Sequence, residues 1–138
     1  DIMPISYQLN PTLTVSDFID ILRRSTLGER RPLHDADAME QMFTHGNTYV
    51  GAYDGDQLVG IARVMTDFVF TSYLSDLAVD EKYQKKGIGK QLIREVQKAI
   101  PNAKIILLAA PAAEDYYPKI GMQHHGHCYT LAPAENLV

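Results

Sequence analysis

Gln84, Gly87 and Gly89 stand at Q-x-x-G-x-G spacing within YQKKGIGK, residues 83–90, with Lys85, Lys86 and Lys90 among them. Glycine allows positive φ and lets a ligand approach the main chain closely. At a helix N-terminus the first backbone N–H groups lack intrahelical acceptors, and the helix dipole adds partial positive charge. A strand, a glycine turn and a helix in that order therefore make an anion site, for phosphate above all, from main chain alone. Residues 81–98 carry Lys82, Lys85, Lys86, Lys90, Arg94 and Lys98 against Glu81 and Glu95, six cations to two anions, or +4. The whole chain is −4, so the remainder is −8. A turn whose glycines merely close a strand onto a helix is the plainer reading, and the local charge weighs against it.

Two phosphate motifs can be tested against the same residues. The nucleoside-triphosphate loop G-x-x-x-x-G-K-[ST] finds its G-K pair in Gly89-Lys90. Gln84 then stands where the first glycine belongs and Gln91 where the hydroxyl belongs, which disfavours Mg-nucleotide chemistry. The dinucleotide turn G-x-G-x-x-G, started at Gly87, meets Leu92 at its third glycine. Where its ribose-binding acid should follow, the chain reads LLAAPAA.

The elements that must position this turn follow from apolar spacing. Ile5–Leu9 alternates weakly and stops at Asn10-Pro11, as a first strand would. Ser16 is the expected N-cap of a helix built on Phe18, Ile19 and Leu22 and running to about Thr26. The polar GERRPLHD reads as a loop; Asp35 then caps a second helix on Ala38, Met39, Met42 and Phe43, ending near His45-Gly46. TYVGAYDGDQLVGIARV flanks Asp54-Gly55 with two β-prone runs, a hairpin signal. A strand over about Ser72–Val79 completes an antiparallel meander. Ile88, Leu92, Ile93, Val96 and Ile100 recur at helical spacing until Pro101. KIILLAA, Lys104–Ala110, reads as a strand buried on both faces. A short helix over about Ala112–Ile120, closed by Gly121, and a last strand or pair within Met122–Leu131 end the pattern. The order β-α-α-β-β-β-α-β-α-β predicts a mixed α/β sheet of about six or seven strands.

On these residues the sequence resembles the GNAT superfamily of acyl-CoA-dependent N-acetyltransferases, whose signature [RQ]-x-x-G-x-[GA] is met by Gln84, Gly87 and Gly89. LAVDEKYQ is similar to the family's LAV-x-x-x-Y-[RQ] lead-in, and YYPKIGM to its Y-x-x-x-G-[FM] ending. The element order matches over nearly the whole chain. The resemblance implies a mostly antiparallel sheet flanked by about four helices, with a cofactor cleft where strands 4 and 5 splay. By the same likeness acetyl-CoA is the cosubstrate, and an amine on a small molecule, a lysine or a protein N-terminus is the acceptor. The backbone of Leu77, Ala78 and Val79 would pair with the pantetheine arm. Amides from Gln84 or Lys85 through Lys86, Gly87, Ile88, Gly89 and Lys90 would hold the pyrophosphate, with Lys85 and Lys86 screening its charge. Tyr117 matches the family's acid, and Tyr116 packs beside it or lines the cofactor channel. Asp76, beside the pantetheine residues, ranks first as the base; Asp67 ranks second, and a water chain needing no unique base is a third route. One departure is Ala110, seven positions before Tyr117, where many relatives carry Asn. The segments RRSTLGERRP and VGIARVMTD are similar to a bacterial and plastid subgroup. A non-catalytic acyl-CoA-binding or interaction domain of the same fold is the rival reading.

The remaining features set bounds. With 138 residues, 46% hydrophobic and 22% charged, the chain suits one domain, residues 1–138, with its own core. A net charge of −4 disfavours nucleic acid as partner. No run approaches the roughly 18 apolar residues that span a bilayer, and DIMPISYQLNP lacks the pattern of a signal peptide. Cys128 is the only cysteine, so no intrachain disulfide is available and a reducing cytoplasm is the default expectation. His124, His125, His127 and Cys128 alternate across a strand's two faces, so no metal is expected there. A homodimer is a possible assembly, as it is common in the superfamily.

Overall fold

A computed structural model describes residues 4–138; the first three residues, part of the stretch considered for a leader, lie outside them. The chain groups into two compact units, one ending at Leu108 and the other Ala109–Val138. No helix among the described residues is long and apolar enough to cross a membrane.

The first unit is built on a five-stranded sheet in the order β1 (Ile5–Leu9), β2 (Thr48–Asp54), β3 (Gln57–Thr66), β4 (Thr71–Val79), β5 (Lys104–Ile106). The first three junctions are antiparallel and the β4–β5 junction is parallel. Helices α1 (Val15–Arg24) and α2 (Ala36–His45) cover one face, where Phe18, Ile21, Leu22 and Met39 bury against Leu58, Ile61 and Ala78. Helix α3 (Ile88–Ala99) covers the other with Ile88, Leu92 and Val96 on Val50, Ala52, Ala62, Val64 and Leu74. Apolar period 3.6 on the helices meets alternation on the strands, and burial of the two apolar sets holds three layers together.

Local chemistry sets the boundaries. Thr14, not Ser16, caps α1: its hydroxyl accepts from the Asp17 amide at 3.1 Å while Asp17 accepts the Thr14 amide at 2.9 Å. This reciprocal box satisfies two donors where a serine inside the first turn satisfies none. Asp35 caps α2 through the Ala38 amide at 3.0 Å, as expected. The β2–β3 turn is Gly55-Asp56, one residue later than the Asp54-Gly55 pair, because Asp54 still pairs with Gln57. Gly55, at φ +60, supplies the positive first turn position a two-residue hairpin loop needs.

Two departures matter for the site. In β4 the register jumps, with Asp76 opposite Arg63 but Leu74 opposite Val64, so Ser75 is an inserted bulge residue. The bulge reverses the alternation: Leu74 faces α3, whereas Asp76 and Ala78 face α1 and α2. The second departure is β5, which is three residues long rather than seven and pairs only with Thr71–Tyr73. From Leu74 onward β4 therefore has no strand on that side among the described residues. The predicted burial on both faces of KIILLAA is corrected accordingly: Ile106 is 41% and Leu108 55% exposed.

The second unit holds a short 3-10 turn at Pro111–Ala113 and a one-turn α4 (Tyr116–Lys119), closed by Gly121 at φ +101. The Met122 amide returns to the Tyr117 carbonyl at 3.0 Å. No strand forms within Met122–Leu131, and residues 123–131 are exposed. QHHGHCYT offers no apolar alternation for a ladder to bury. Among the described residues the sheet thus has five strands, not six or seven.

Candidate active site

Asp80 follows β4 and starts the site. One of its oxygens caps a 3-10 turn (Glu81–Tyr83) by accepting the Lys82 amide at 2.8 Å, and the other accepts Arg24 Nη1 at 2.6 Å. Burial pushes its pKa up; the Lys82 amide and Arg24 outweigh that, so the carboxyl stays below its usual value. Tyr83 donates its hydroxyl to Asp54 on the β2–β3 hairpin, and Lys86 Nζ lies 5.4 Å over the Tyr83 ring. The entry to the turn is thereby held from α1, from the hairpin and from within.

The turn itself places Lys85 at φ +63 and Gly87 at φ +82, and Gly87 caps α3 with no side-chain bond. Ile88 is pressed into the α3 core, 3% exposed, while Gln84, Lys85 and Lys86 are exposed. Gly87 gives its carbonyl to the Gln91 amide at 3.1 Å. Among the described residues, no acceptor takes the amides of Gly87, Ile88, Gly89 or Lys90 at the head of α3. Four successive donors remain for an outside partner. Left-handed residues in such a run turn neighbouring amides toward one concavity, which suits an anion.

Beside this turn runs the open edge of β4. Ala78 is buried against the α1–α2 core, while Leu77 and Val79 are half-buried on the α3 side, so the three residues are fixed from both faces. Gln84 Nε2 donates to the Val79 carbonyl at 3.1 Å.

Asp76 points opposite Leu77, as strand alternation predicts, and it is completely buried. One oxygen accepts Arg31 Nε at 2.6 Å and the other accepts Arg63 Nε. Arg31 also donates to the Ser75 carbonyl at 2.9 Å, and Arg63 to the Ser75 hydroxyl at 2.9 Å and the Met42 carbonyl at 3.0 Å. The sequence places Arg31, with Glu29 and Arg30, in a loop expected to shape the acceptor pocket, but gives Arg63 no role. A signal existed: Arg63 interrupts the apolar run VGIARVM, and a charge in a central strand calls for a buried counter-charge.

Asp67 lies in the β3–β4 turn. Its Oδ1 accepts the amides of Val69, Phe70 and Thr71 at 2.8–3.0 Å, and those bonds, Phe70's first, hold its pKa below the usual value. Tyr117 belongs to the second unit; burial, then the neighbouring Tyr116, pushes its phenol upward. His124, His125, His127 and Cys128 are exposed, and no group of three potential metal ligands assembles among the described residues.

A sheet opened between β4 and β5, with unsatisfied amides at the head of the following helix, is the architecture of the GNAT fold class. The chain belongs to that family: a model described as "Acetyltransferase (GNAT) domain" matches residues 26–129. GCN5-related N-acetyltransferase 2, chloroplastic, of Arabidopsis thaliana is 31% identical over 70 residues, 49% of this chain and 27% of that protein. An uncharacterized N-acetyltransferase, ycf52-like, of Prochlorococcus marinus is 26% identical over 129 residues, 87% of this chain and 66% of that protein. The match with the first spans less than a third of its length. A GNAT-family acetyltransferase from Streptococcus pneumoniae superposes with a TM-score of 0.76 at 22% identity, covering 94% of this chain and 96% of its own. A probable acetyltransferase from Staphylococcus aureus gives 0.74 at 22% identity over 94% and 100%. At such identities the two structures share the fold.

Proposed function

We propose that the chain moves an acetyl group from acetyl-CoA to a primary amine, on a small molecule, a lysine or a protein N-terminus, by direct attack. The observation that carries this is the run of four unsatisfied amides from Gly87 to Lys90, at the end of the glycine turn that begins at Gln84, beside the open edge of β4. A diphosphate matches those donors, with Lys85 and Lys86 as auxiliary cations. The backbone of Leu77, Ala78 and Val79 receives the amide-bearing arm as an added strand. The lone, exposed Cys128 suits a reducing compartment, the cytoplasm by default.

Attack by the neutral amine makes the C–N bond, and collapse breaks the C–S bond to release CoA thiolate. Tyr117 is assigned as the acid for that thiolate on its motif position. Its raised pKa keeps the phenol protonated through neutral pH, the form that can donate. The expected base, Asp76, is reassigned. A fully buried carboxylate between two guanidiniums has no path to the amine, and taking a proton would weaken both ion pairs. The ammonium gives its proton to water in this mechanism.

Calorimetric titration with acetyl-CoA tests the cofactor assignment; no heat at about 1 mM cofactor would overturn it. Free CoA release is then followed over polyamines, arylalkylamines, amino acids and lysine peptides. Tyr117→Phe is expected to lower kcat by about 10²–10⁴. Unchanged turnover would remove Tyr117 as the acid.

A further inference from the structure

We infer that Arg31 is a positioning residue for the acceptor amine, docked on the thioester end of the cleft by Asp76, the anchor of a two-arginine clamp. This rests on the acetyltransferase reading. The diphosphate donors lie after the end of β4, at residues 87–90, so an arm laid on the open edge runs from Val79 back toward the bulge at Ser75. Its reactive end arrives where Arg31 reaches the strand. Arg31 spans that bulge with Nε on Asp76 Oδ1 at 2.6 Å and Nη2 on the Ser75 carbonyl at 2.9 Å, while Nη1 holds its own connector through the Arg30 carbonyl at 2.9 Å. Arg63 fixes the other carboxylate oxygen and ties in α2 through the Met42 carbonyl. The α1–α2 connector is therefore bolted to β4 at the point an amine must approach.

The clamp also carries a charge argument. Two guanidiniums face one carboxylate, so the cluster is net +1. Its only partly exposed member is Arg31, with 20% of its side chain accessible against 6% for Arg63 and 0% for Asp76. A cation beside an ammonium favours the neutral, nucleophilic form. Arg31 thus helps the acceptor lose its proton without acting as a base, which accounts for a site whose buried carboxylate is already engaged.

The test compares Arg31→Met and Arg31→Lys with the wild-type protein, using acetyl-CoA and the probes spermidine, tyramine and a lysine-containing peptide. Arg31→Met should raise the amine KM by about ten- to hundredfold, with acetyl-CoA affinity retained. It should move the acid limb of kcat, which reports the bound amine, upward by about one pH unit. Arg31→Lys keeps the charge and loses the side-on contact, so KM rises and the acid limb stays. Amide hydrogen exchange over residues 26–35 should speed up in both. An active wild-type protein whose Arg31→Met and Arg31→Lys variants keep its KM and its pH limb would overturn this inference alone. Should Arg31→Met fail to fold, an unchanged KM in Arg31→Lys has the same force. A wild-type protein that binds no acetyl-CoA sinks the acetyltransferase reading and this inference with it.

Discussion

Gly87 enters α3 at φ +82, a region that an L-residue occupies at a cost of about 1–2 kcal/mol. A Cβ added there meets nothing within 4 Å, so Gly87→Ala is penalised by backbone conformation alone. Urea unfolding should show a loss of about 1 kcal/mol, and acetyl-CoA should bind more weakly as the amides turn away. Full affinity in that variant would mean the turn's main chain does not hold the cofactor. Lys85 makes the complementary case, a non-glycine at φ +63. Lys85→Gly relieves the backbone and deletes a cation, so affinity falls only slightly if amides, not lysines, carry the binding. Asp76 separates two roles in the same way. Asp76→Asn leaves the buried Arg63 and the partly exposed Arg31 short of a counter-charge and should destabilise by about 3 kcal/mol. A catalytic base would instead show lost turnover in a protein of unchanged stability.

The β3–β4 turn is organised by one carboxylate. Asp67 accepts three successive amides, and its pKa is lowered by them. A lowered folded-state pKa means the stabilisation is present above the unfolded value and is lost as pH falls through the folded one. Exchange of the Val69, Phe70 and Thr71 amides should therefore quicken on acidification, and Asp67→Ala should show fast exchange at every pH. At this scale much was legible. Phe18, Leu22, Met39, Leu92 and Val96 all lie where helical spacing put them, because a stripe that must be buried leaves a periodic trace. The glycine turn was legible for a different reason, since its conformation limits which residues fit. What stayed hidden depends on pairing. The Ser75 bulge is a relation between β3 and β4, and neither strand's alternation announces it. The clamp joins Arg31, Arg63 and Asp76 across 45 and 13 residues of chain, which no local window spans. KIILLAA is strongly apolar, yet a strand also needs a partner's ladder, and β4 offers one for only three residues.

Over the whole molecule, buried and hydrogen-bonded tyrosines tie stability to alkaline pH. Burial pushes Tyr49 from its ordinary 10.0 up to about 12, with Arg63 opposing the shift and Asp76 adding to it. Burial raises Tyr7 and Tyr53 as well, and the bond to Asp54 raises Tyr83. Each folded-state pKa lies above the unfolded value, so the unfolded chain loses protons first as pH climbs. The stabilisation is complete below pH 10 and, for Tyr49, disappears on the way to about 12. Unfolding free energy from denaturant titrations should be level from neutral pH to about pH 10 and then fall. Tyr49 also donates its hydroxyl to the Phe43 carbonyl at 2.6 Å, tying α2 to β2. Tyr49→Phe therefore has two opposed effects. It removes that bond at a cost of about 1 kcal/mol at neutral pH, and it removes a titrating group, so its decline above pH 10 is shallower. The two stability curves should converge in strong alkali; parallel curves would show that Tyr49 ionises in the folded protein as readily as in the unfolded one.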